Sequence, residues 1–161
     1  MLNIEFYLDK VNECDKEVLF RLLQYSLFEE SENDLNEMNS EAIFEYKYFD
    51  SYFLDNERYA YFIKEKNSHK LLGFCMINDH VEVFEKGHSI AEYLIIPKYR
   101  RNKIGKRVAF EIFDRFKGNW EVKPSYQSEK AYKFWENVIS EYTKNNFEIT
   151  NEIFTFNNKV K

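Results

Sequence analysis

The sequence contains few of the residues that mark non-globular or disulfide-linked chains. Among 161 residues there are four glycines, two prolines and two cysteines, whereas 19% of the residues are aromatic. So little glycine and proline excludes a collagen-like or low-complexity chain, and the aromatic content is too high for a disordered one. Cys14 and Cys75 lie far apart and are expected to be buried thiols in a reducing compartment, because a chain of this size forms its core without a disulfide.

Long apolar segments are also missing. The longest uninterrupted apolar run covers residues 71–77, which is far shorter than the length that crosses a bilayer. The first ten residues lack the basic flank and the long apolar core of a signal peptide. We therefore expect one cytoplasmic, soluble domain over residues 1–161, with no membrane partner.

Two segments each lack charge of one sign. Residues 29–50 contain eight acids and one base, Lys47, whereas residues 98–107 contain six bases and no acid. The net charge of −5 argues against non-specific binding of nucleic acid, so no nucleic-acid partner is expected. A solvated face is the ordinary explanation of a charge run, but the basic run lies where a strand is predicted to meet a helix.

The spacing of apolar residues predicts a mixed α/β fold. Strands are predicted at residues 2–8, 58–64, 70–77, 88–96 and 120–122 and in a terminal hairpin about Thr150-Asn151. Helices are predicted at residues 18–27, 104–116 and 128–139. Ser40 is expected to cap a further helix that carries Phe44, Tyr48 and Phe49, and Ser128 is expected to cap the last helix. The order β-α-α-β-β-β-α-β-α-β-β indicates one sheet layered with helices in a single domain.

The junction between the strand at 88–96 and the helix at 104–116 has the features of an anion site. Pro97 ends the strand, and a basic loop leads into the helix. The first amides of a helix have no intrahelical partner and carry the positive end of its dipole. Gly105 lets a ligand approach the backbone closely. This arrangement favours a pyrophosphate guest, with a solvated turn as the alternative.

The same junction, LIIPKYRRNKIGKRV, resembles motif A of the GCN5-related N-acetyltransferases (GNAT). That motif is a strand and a proline followed by Gln/Arg-x-x-Gly-x-Gly/Ala. Arg100 takes its first position and Gly105 its last, while Lys103 stands where the family usually has its first Gly. We expect a lysine there to require an ordinary backbone conformation and to add a cation beside the phosphates.

A second segment, SEKAYKFW at residues 128–135, is similar to the family's Asn-x-x-Ala-x-x-Phe-Tyr/Trp helix, with Ser128 replacing Asn. Ala91-Glu92-Tyr93, Gly118–Val122 and Phe134-Trp135 further resemble a bacterial subgroup of predicted acetyltransferases. The resemblance covers nearly the whole chain. It implies a single GNAT-like α/β (α+β) domain with a mixed, mostly antiparallel sheet flanked by helices. It also implies acetyl-CoA as co-substrate and direct transfer of its acetyl group to a primary amine of a small acceptor.

The resemblance also implies a set of binding residues. The main chain of Leu94, Ile95 and Ile96 is expected to pair with the pantetheine arm. The amides expected to wrap the pyrophosphate belong to Arg101, Asn102, Lys103, Ile104, Gly105 and Lys106. Arg100, Arg101 and Lys103 are expected to add charge, and Lys106 or Arg107 to reach the 3′-phosphate. The residues expected to complete the cofactor site from the last helix are Ser128, Ala131, Phe134 and Trp135.

For catalysis, Glu92 is the candidate base that takes the proton of the attacking amine, although an exposed strand carboxylate is an equal alternative. The usual acid of the family is a Tyr at the position of Trp135, and an indole N–H does not protonate a thiolate. Tyr132 and Tyr126 are the candidates to replace it, with solvent as a third source. The acidic stretch and its interleaved aromatics suit a cationic acceptor, or else pack in the core.

Two questions stay open at this level. His69, His80 and His88 show no metal-ligand spacing, so no metal is expected. Lys103 and Trp135 depart from the family pattern, and they support a second hypothesis, a catalytically weak acyl-CoA-binding or regulatory module of the same fold. The acceptor and the assembly, with a homodimer as one option, are left undecided.

Overall fold

The computed structural model describes residues 3–159, which form one seven-stranded sheet in the order β1-β2-β3-β4-β5-β7-β6. The strands are β1 Phe6–Lys10, β2 Arg58–Glu65, β3 Leu71–Asn78, β4 His88–Ile95, β5 Asn119–Val122, β6 Glu148–Thr150 and β7 Ile153–Asn157. The helices are α1 Lys16–Glu30, α2 Ser51–Leu54, α3 Ile104–Arg115 and α4 Glu129–Thr143. All neighbouring strands are antiparallel except β4 and β5. The predicted mixed, mostly antiparallel sheet flanked by helices is confirmed.

Each face of the sheet carries its own core. On one face, α3 and α4 bury apolar stripes that include Val108, Ile112 and Ile139. On the other face, α1 buries Leu19 and Leu23 against β2 and β3. Because successive strand residues point to opposite faces, the central strands β3 and β4 supply side chains to both cores. Within the described residues no helix is long and apolar enough to cross a membrane.

The helices and strands agree with those predicted from the sequence, except within the first third of the chain. Ser128 caps α4 as predicted, since its hydroxyl accepts a hydrogen bond from the amide of Ala131 at 3.1 Å. The opening strand covers Phe6–Lys10 rather than residues 2–8, of which residue 2 lies outside the described residues. Cys75 is buried, but Cys14 is exposed in a short 3-10 turn before α1, so its predicted burial is wrong.

The helix predicted to begin at Ser40 does not form. Residues 40–48 form turns and irregular loop, and α2 is a single turn at Ser51–Leu54. The side chain of Gln24 holds both the N–H and the carbonyl of Phe44 at 2.8 Å. Asn39 Oδ1 accepts from the amides of Glu41 and Ile43. These side-chain bonds take backbone groups that a helix would use for itself.

Candidate active site

A cleft opens between the two parallel strands. β4 pairs with β5 only at its first two residues, His88 with Trp120 and Ser89 with Glu121. From residue 90 onward the edge of β4 that faces β5 has no strand partner. We call the wedge between residues 90–95 and β5 the cleft. An unpaired strand edge presents N–H and carbonyl groups that another chain or ligand can bind.

The hydrogen bonds of β4 show which residues face the cleft. The amide of Ile96 donates to the carbonyl of Leu72 on β3 at 2.8 Å. Since main-chain groups alternate along a strand, Leu94 also points to β3 and Ile95 points to the open edge. The carbonyl of Ile95 accepts from Arg100 Nε at 2.7 Å on that side. Of the three residues expected to pair with the pantetheine arm, only Ile95 faces the cleft.

The loop before α3 carries a run of unused amides. The first backbone bond of the helix runs from the amide of Arg107 to the carbonyl of Lys103 at 3.1 Å. The six amides from Arg101 to Lys106 donate no hydrogen bond to any residue within 3–159. Such amides at the positive end of a helix bind anions. The loop therefore has the free donors that the anion site predicted from the sequence would need.

The backbone of this loop is left-handed at two non-glycine residues. Lys103 has a φ of 57° and Arg101 a φ of 72°. The expectation that a lysine at the family's glycine position needs an ordinary conformation is therefore wrong. The loop keeps the shape that glycine adopts freely, at a cost of about 1 kcal/mol for a side chain.

The basic side chains of the loop divide into two groups. Arg100 is bound by Glu29, with Nη2 at 3.0 Å from both carboxylate oxygens. Lys106 pairs with Glu141 at 2.7 Å, and Arg107 donates to the carbonyl of Ile4 at 2.7 Å. Arg101 and Lys103 are exposed and form no ion pair with any residue between 3 and 159. These two cations could contact a phosphate without breaking an ion pair formed among the described residues, as could the exposed Lys98, whose Nζ lies 5.9 Å from the centroid of the Tyr99 ring.

Gly105 has a packing role that differs from the one expected. A Cβ on this residue would lie 3.3 Å from two ring carbons of Phe134 and 3.6 Å from Cγ1 of Ile95. The missing side chain therefore makes room for α4 against α3, whereas its amide remains among the unused donors. A larger residue at this position would displace the ring of Phe134, while the predicted approach of a ligand to the Gly105 backbone stays a prediction.

Trp135 lies in the core and not in the cleft. Its side chain is 6% exposed and packs against Tyr93, Phe113 and Phe134. The expected contact of this indole with a cofactor has no support in its position. Phe134 and Ala131 are partly buried one and four residues earlier on α4, so they remain candidates at the rim.

Glu92 owes its position to a β-bulge. Met76 pairs with Glu92 and Ile77 pairs with Ile90, so Ala91 is an extra residue in β4. A bulge of this kind can place two successive side chains on one face. Ala91 packs on the α1 face, and the carboxyl of Glu92 also meets groups from α1 and its following loop.

The surroundings of the Glu92 carboxyl favour its protonated form. Burial and the neighbouring carboxylate of Glu30 raise the pKa of Glu92 well above its usual range, while a hydrogen bond with Tyr46 opposes this in part. A carboxyl with a raised pKa is a stronger base, once ionised, than an ordinary glutamate.

Glu30, which the sequence did not single out, is the nearest charged partner of Glu92. It is the last residue of α1, and its carboxyl accepts from the hydroxyl of Ser125 at 3.3 Å. Burial raises the pKa of Glu30, and Asp34 adds repulsion. No sequence signal separated Glu30 from the other acids of residues 29–50, since only the packing of α1 on the sheet brings it to β4.

The two candidate acids lie beside Ser125. Tyr126 is 55% exposed, and Tyr132 is partly buried against Phe154. Both line an open pocket of about 420 Å³ in the loop between β5 and α4. Ser125 lines the same pocket and touches Glu30, so the structure brings both tyrosines to the neighbourhood of the carboxyl pair.

The acidic segment is mostly solvated. Glu29 pairs with Arg100 and Asp50 with Lys16, and Glu32, Glu37, Glu41 and Glu45 are exposed. Of these acids, Glu30 and Asp34 are the ones whose charge raises the pKa of Glu92. Three of the interleaved aromatics pack in the core, as the alternative held: Phe44, Phe49 and Tyr52.

Residues 24–138 match the model of the acetyltransferase (GNAT) family. The chain belongs to this family of acetyltransferases. The match includes β4, the amide loop and most of α4, which are the elements that build the cleft. No curated protein sequence matches the chain.

Solved structures of related fold agree with this assignment. An acetyltransferase from Thermus thermophilus has a TM-score of 0.64 at 14% identity, covering 96% of each chain. A predicted acetyltransferase with acetyl-CoA from Clostridium acetobutylicum has 0.60 at 14%, covering 92% of this chain and 93% of that one. Spermidine N-acetyltransferase from Vibrio cholerae, in complex with CoA and spermine, has 0.59 at 8%, covering 94% and 95%. At such identities the likeness shows the fold.

The donors and acceptors of this acetyltransferase fit an acyl-CoA molecule. Unused amides and two unpaired cations suit a diphosphate. The open edge of β4 suits the amide groups of a pantetheine arm, because they can pair as a strand does. Among residues 3–159 no group of three His, Cys, Asp or Glu side chains is arranged to hold a metal ion.

Proposed function

We propose that the protein is an acetyl-CoA-dependent N-acetyltransferase that acetylates a primary amine of a small, cationic acceptor by direct transfer. The observation that carries this proposal is the alignment of three features along one strand. The amide loop follows β4, the open edge lies along it, and the Glu92 carboxyl lies on it near the point where β4 and β5 separate.

The chain's own residues supply binding and proton transfer. The amides of residues 101–106, with Arg101 and Lys103, hold the diphosphate, and the main chain of Ile95 holds the pantetheine arm. Acetyl-CoA, when bound, supplies an activated acyl carbonyl as its thioester. Glu92 then accepts a proton from the attacking amine, directly or through water, so that the nitrogen lone pair is free.

A proton for the leaving thiol has three proposed sources. Tyr132 and Tyr126 line the pocket next to Ser125, and solvent enters that pocket freely. Trp135 is excluded from this role by its chemistry and by its burial in the core. A buried tryptophan at the family's tyrosine position is also the observation that favours the second candidate, a catalytically weak acyl-CoA-binding module.

The preference for a cationic acceptor rests on charge. Glu30, Asp34 and Glu92 lie together with no Lys or Arg within ion-pair distance of any of them among the described residues. A positive amine is attracted to such a group over several ångströms, and salt screens that attraction. A spermidine N-acetyltransferase among the structures of related fold is consistent with this class of acceptor.

The test combines an amine panel with Glu92→Gln. We expect polyamines and lysine-like amines to be acetylated better than neutral or acidic ones, with KM rising and kcat nearly constant as salt increases. Glu92→Gln is expected to lower kcat roughly 100-fold, the usual size of a general-base effect, and to leave CoA affinity unchanged by calorimetry. Glu37→Gln, an exposed acid of the same segment, is the matched control.

The outcomes separate the two candidates. CoA binding without thioester consumption across the whole panel would establish the binding module and overturn the enzyme. Transfer that prefers neutral or acidic amines, or that ignores salt, would remove the cationic acceptor and retain the acetyltransferase.

A further inference from the structure

A second cavity lies at the end of β4 opposite to the amide loop. It is open, has a volume of about 510 Å³ and is lined by Tyr48, Arg58, Asn78, His80 and Ser89. Three of these residues form one row across the sheet, because Arg58 pairs with Asn78 on β3 and Asn78 pairs with Ser89 on β4. The proposed acetyl-CoA site uses none of the five.

Arg58 brings an almost buried guanidinium group to this cavity. Its side chain is 10% exposed, and its Nε donates to Asp55 Oδ2 at 3.2 Å. The guanidinium carbon lies 4.6 Å from the centroid of the Tyr48 ring and 5.6 Å from that of the Tyr52 ring. These contacts hold the long side chain in one place before any ligand arrives.

The two terminal nitrogens of Arg58 are unused donors. Neither Nη1 nor Nη2 donates a hydrogen bond to any residue within 3–159. Solvent reaches both of them, since the described residues contain no buried side-chain nitrogen or oxygen without a partner. A guanidinium group whose end is free can donate two parallel hydrogen bonds, the arrangement that binds both oxygens of a carboxylate.

A second cation lies beside the same cavity. Lys47 is the one base of residues 29–50, and its Nζ lies 5.2 Å from the centroid of the Tyr48 ring. It forms no ion pair with any residue between 3 and 159. The acids nearby do not occupy the free end of Arg58, because Asp55 is bound at Nε and Glu57 lies 3.7 Å from Nε2 of His80. The position of Lys47 gives the lone base of the acidic segment a place beside a site for an anion.

The strand register places this site on the same face of the sheet as Glu92. Ala60, two residues after Arg58, packs in the α1-face core, as does Met76, which pairs with Glu92. Since side chains alternate along a strand, Arg58 and Glu92 both point to the α1 face. Their rows are two residues of β3 apart, which is about 7 Å along the strand. A molecule of the size of an amino acid can therefore have one end near each of them.

We propose that Arg58, assisted by Lys47, binds a carboxylate of the acceptor, so that the substrate is an amino acid or a similar molecule with both a carboxylate and an amine. The inference rests on the proposed function and narrows its substrate class. The carboxylate lies against Arg58 and the amine is directed toward Glu92. Arg58 makes and breaks no covalent bond, and its effect is to select and orient the substrate.

Free lysine and cadaverine are the matched probes, because cadaverine is lysine without its carboxylate. Attraction to the acidic group of Glu30, Asp34 and Glu92 alone favours cadaverine, which has two positive charges and no negative one. A carboxylate site at Arg58 favours lysine. We expect the wild type to have a higher kcat/KM for lysine than for cadaverine. Arg58→Gln is expected to lower the ratio of the two values at least about tenfold, the size of one charge-assisted hydrogen bond.

Three further variants sharpen this test. Arg58→Lys keeps the charge without the two parallel donors and is expected to recover only part of the ratio. Lys47→Gln is expected to lower the ratio about twofold, as for an exposed charge. Arg21→Gln removes an exposed arginine of α1 that pairs with Glu17, and it is expected to leave the ratio unchanged.

Each ratio compares two substrates on one protein sample, so partial unfolding of a variant does not alter it. A wild type that prefers cadaverine overturns the proposal. A ratio that is the same in Arg58→Gln and the wild type also overturns it.

A second measurement does not depend on transfer. Binding of lysine and of cadaverine is followed by calorimetry in the presence of CoA. We expect the Kd of lysine to rise at least about tenfold in Arg58→Gln and that of cadaverine to stay the same. Lysine that fails to bind the wild type, or that binds both proteins alike, overturns the carboxylate site even where amines are acetylated. Lysine binding that depends on Arg58 in a protein that acetylates neither amine would retain the site and overturn the proposed function.

Discussion

Glu121 and Glu92 are carboxylates on adjacent parallel strands, one on each side of the point where those strands separate. Glu121 is 3% exposed, and its two oxygens accept from the amides of residues 82, 83 and 84 at 2.6–2.8 Å. Glu92 has no comparable set of backbone donors among the described residues, and its closest charged neighbour is another carboxyl, Glu30.

The contrast is between a carboxylate that is held by three backbone donors and one that lacks such donors. Three amides donate hydrogen bonds to the side-chain oxygens of Glu121, and these bonds also hold the loop between β3 and β4 on the sheet. Glu92 lies in a site that opposes its charge, which costs stability and raises its affinity for protons above that of an ordinary glutamate. Whether a buried carboxylate stabilises the fold therefore depends on the hydrogen-bond donors around it and not on its burial alone.

The largest effect on stability is expected at the structural carboxylate. Glu121→Ala leaves three amides of the loop at residues 79–87 without their acceptor, and each unpaired buried group is costly. We expect the free energy of unfolding to fall by about 2–4 kcal/mol in urea titrations. Glu121→Gln, which keeps one oxygen acceptor, is expected to lose less. Equal stability of Glu121→Ala and wild type would contradict the structural role.

Glu92→Gln is expected to change the free energy of unfolding in the opposite direction. The pKa of Glu92 is raised in the folded state, so folding binds protons, and stability falls as pH rises from the ordinary glutamate value toward the raised one. Glutamine does not titrate, so the variant is expected to be more stable than wild type at pH 7, because the wild-type carboxyl is harder to ionise in the folded state than in the unfolded state. The gap should close near pH 4.

Urea titrations at several pH values between 4 and 8 check this expectation. Glu121→Gln serves as the comparison, because it should stay below wild type across the same range. A Glu92→Gln protein that is less stable than wild type at pH 7 would show that the Glu92 carboxylate is compensated after all.

The smallest effect concerns the strain stored at the mouth of the cleft. Lys103→Gly places glycine where φ is 57°, and relief of that conformation is expected to stabilise the protein by about 0.5–1 kcal/mol. Lys103→Ala keeps a Cβ and is expected not to gain. Both variants lose the cation and should bind CoA more weakly to the same degree by calorimetry. Stabilisation by alanine as large as that by glycine would locate the effect in charge and not in backbone strain.

The parts of the molecule that follow from local pattern were predictable. The strand before Pro97, the α3 stripe and the Ser128 cap each depend on neighbours within a few residues. The helix at Ser40 failed because Gln24, from another element, binds the backbone at Phe44. Local propensity contains no information about such a partner.

The site was predictable in part for the same reason. Glu92 was singled out through its place before the expected binding strand, and the amide loop through its basic residues, and the roles of both stay predictions. Glu30 was not found, because it is one acid among eight until α1 packs on the sheet and brings it to Glu92. Which loop cations are free was also beyond the sequence, since Glu29, Glu141 and Ile4 come from three separate segments.

The extra residue in β4 has a consequence for how the two halves of the sheet can fit together. Between Ile77 and Met76, β3 advances by one residue, while β4 advances by two, from Ile90 to Glu92. One strand is thus about 3.3 Å longer in contour than the partner to which it is hydrogen-bonded. An extra residue of this kind bends the strand that contains it. The pairing of β4 with β5 ends at Ser89, just before the bulge. Deleting Ala91 makes the two contours equal, and we expect β4 then to run straighter beside β5 and the cleft to narrow.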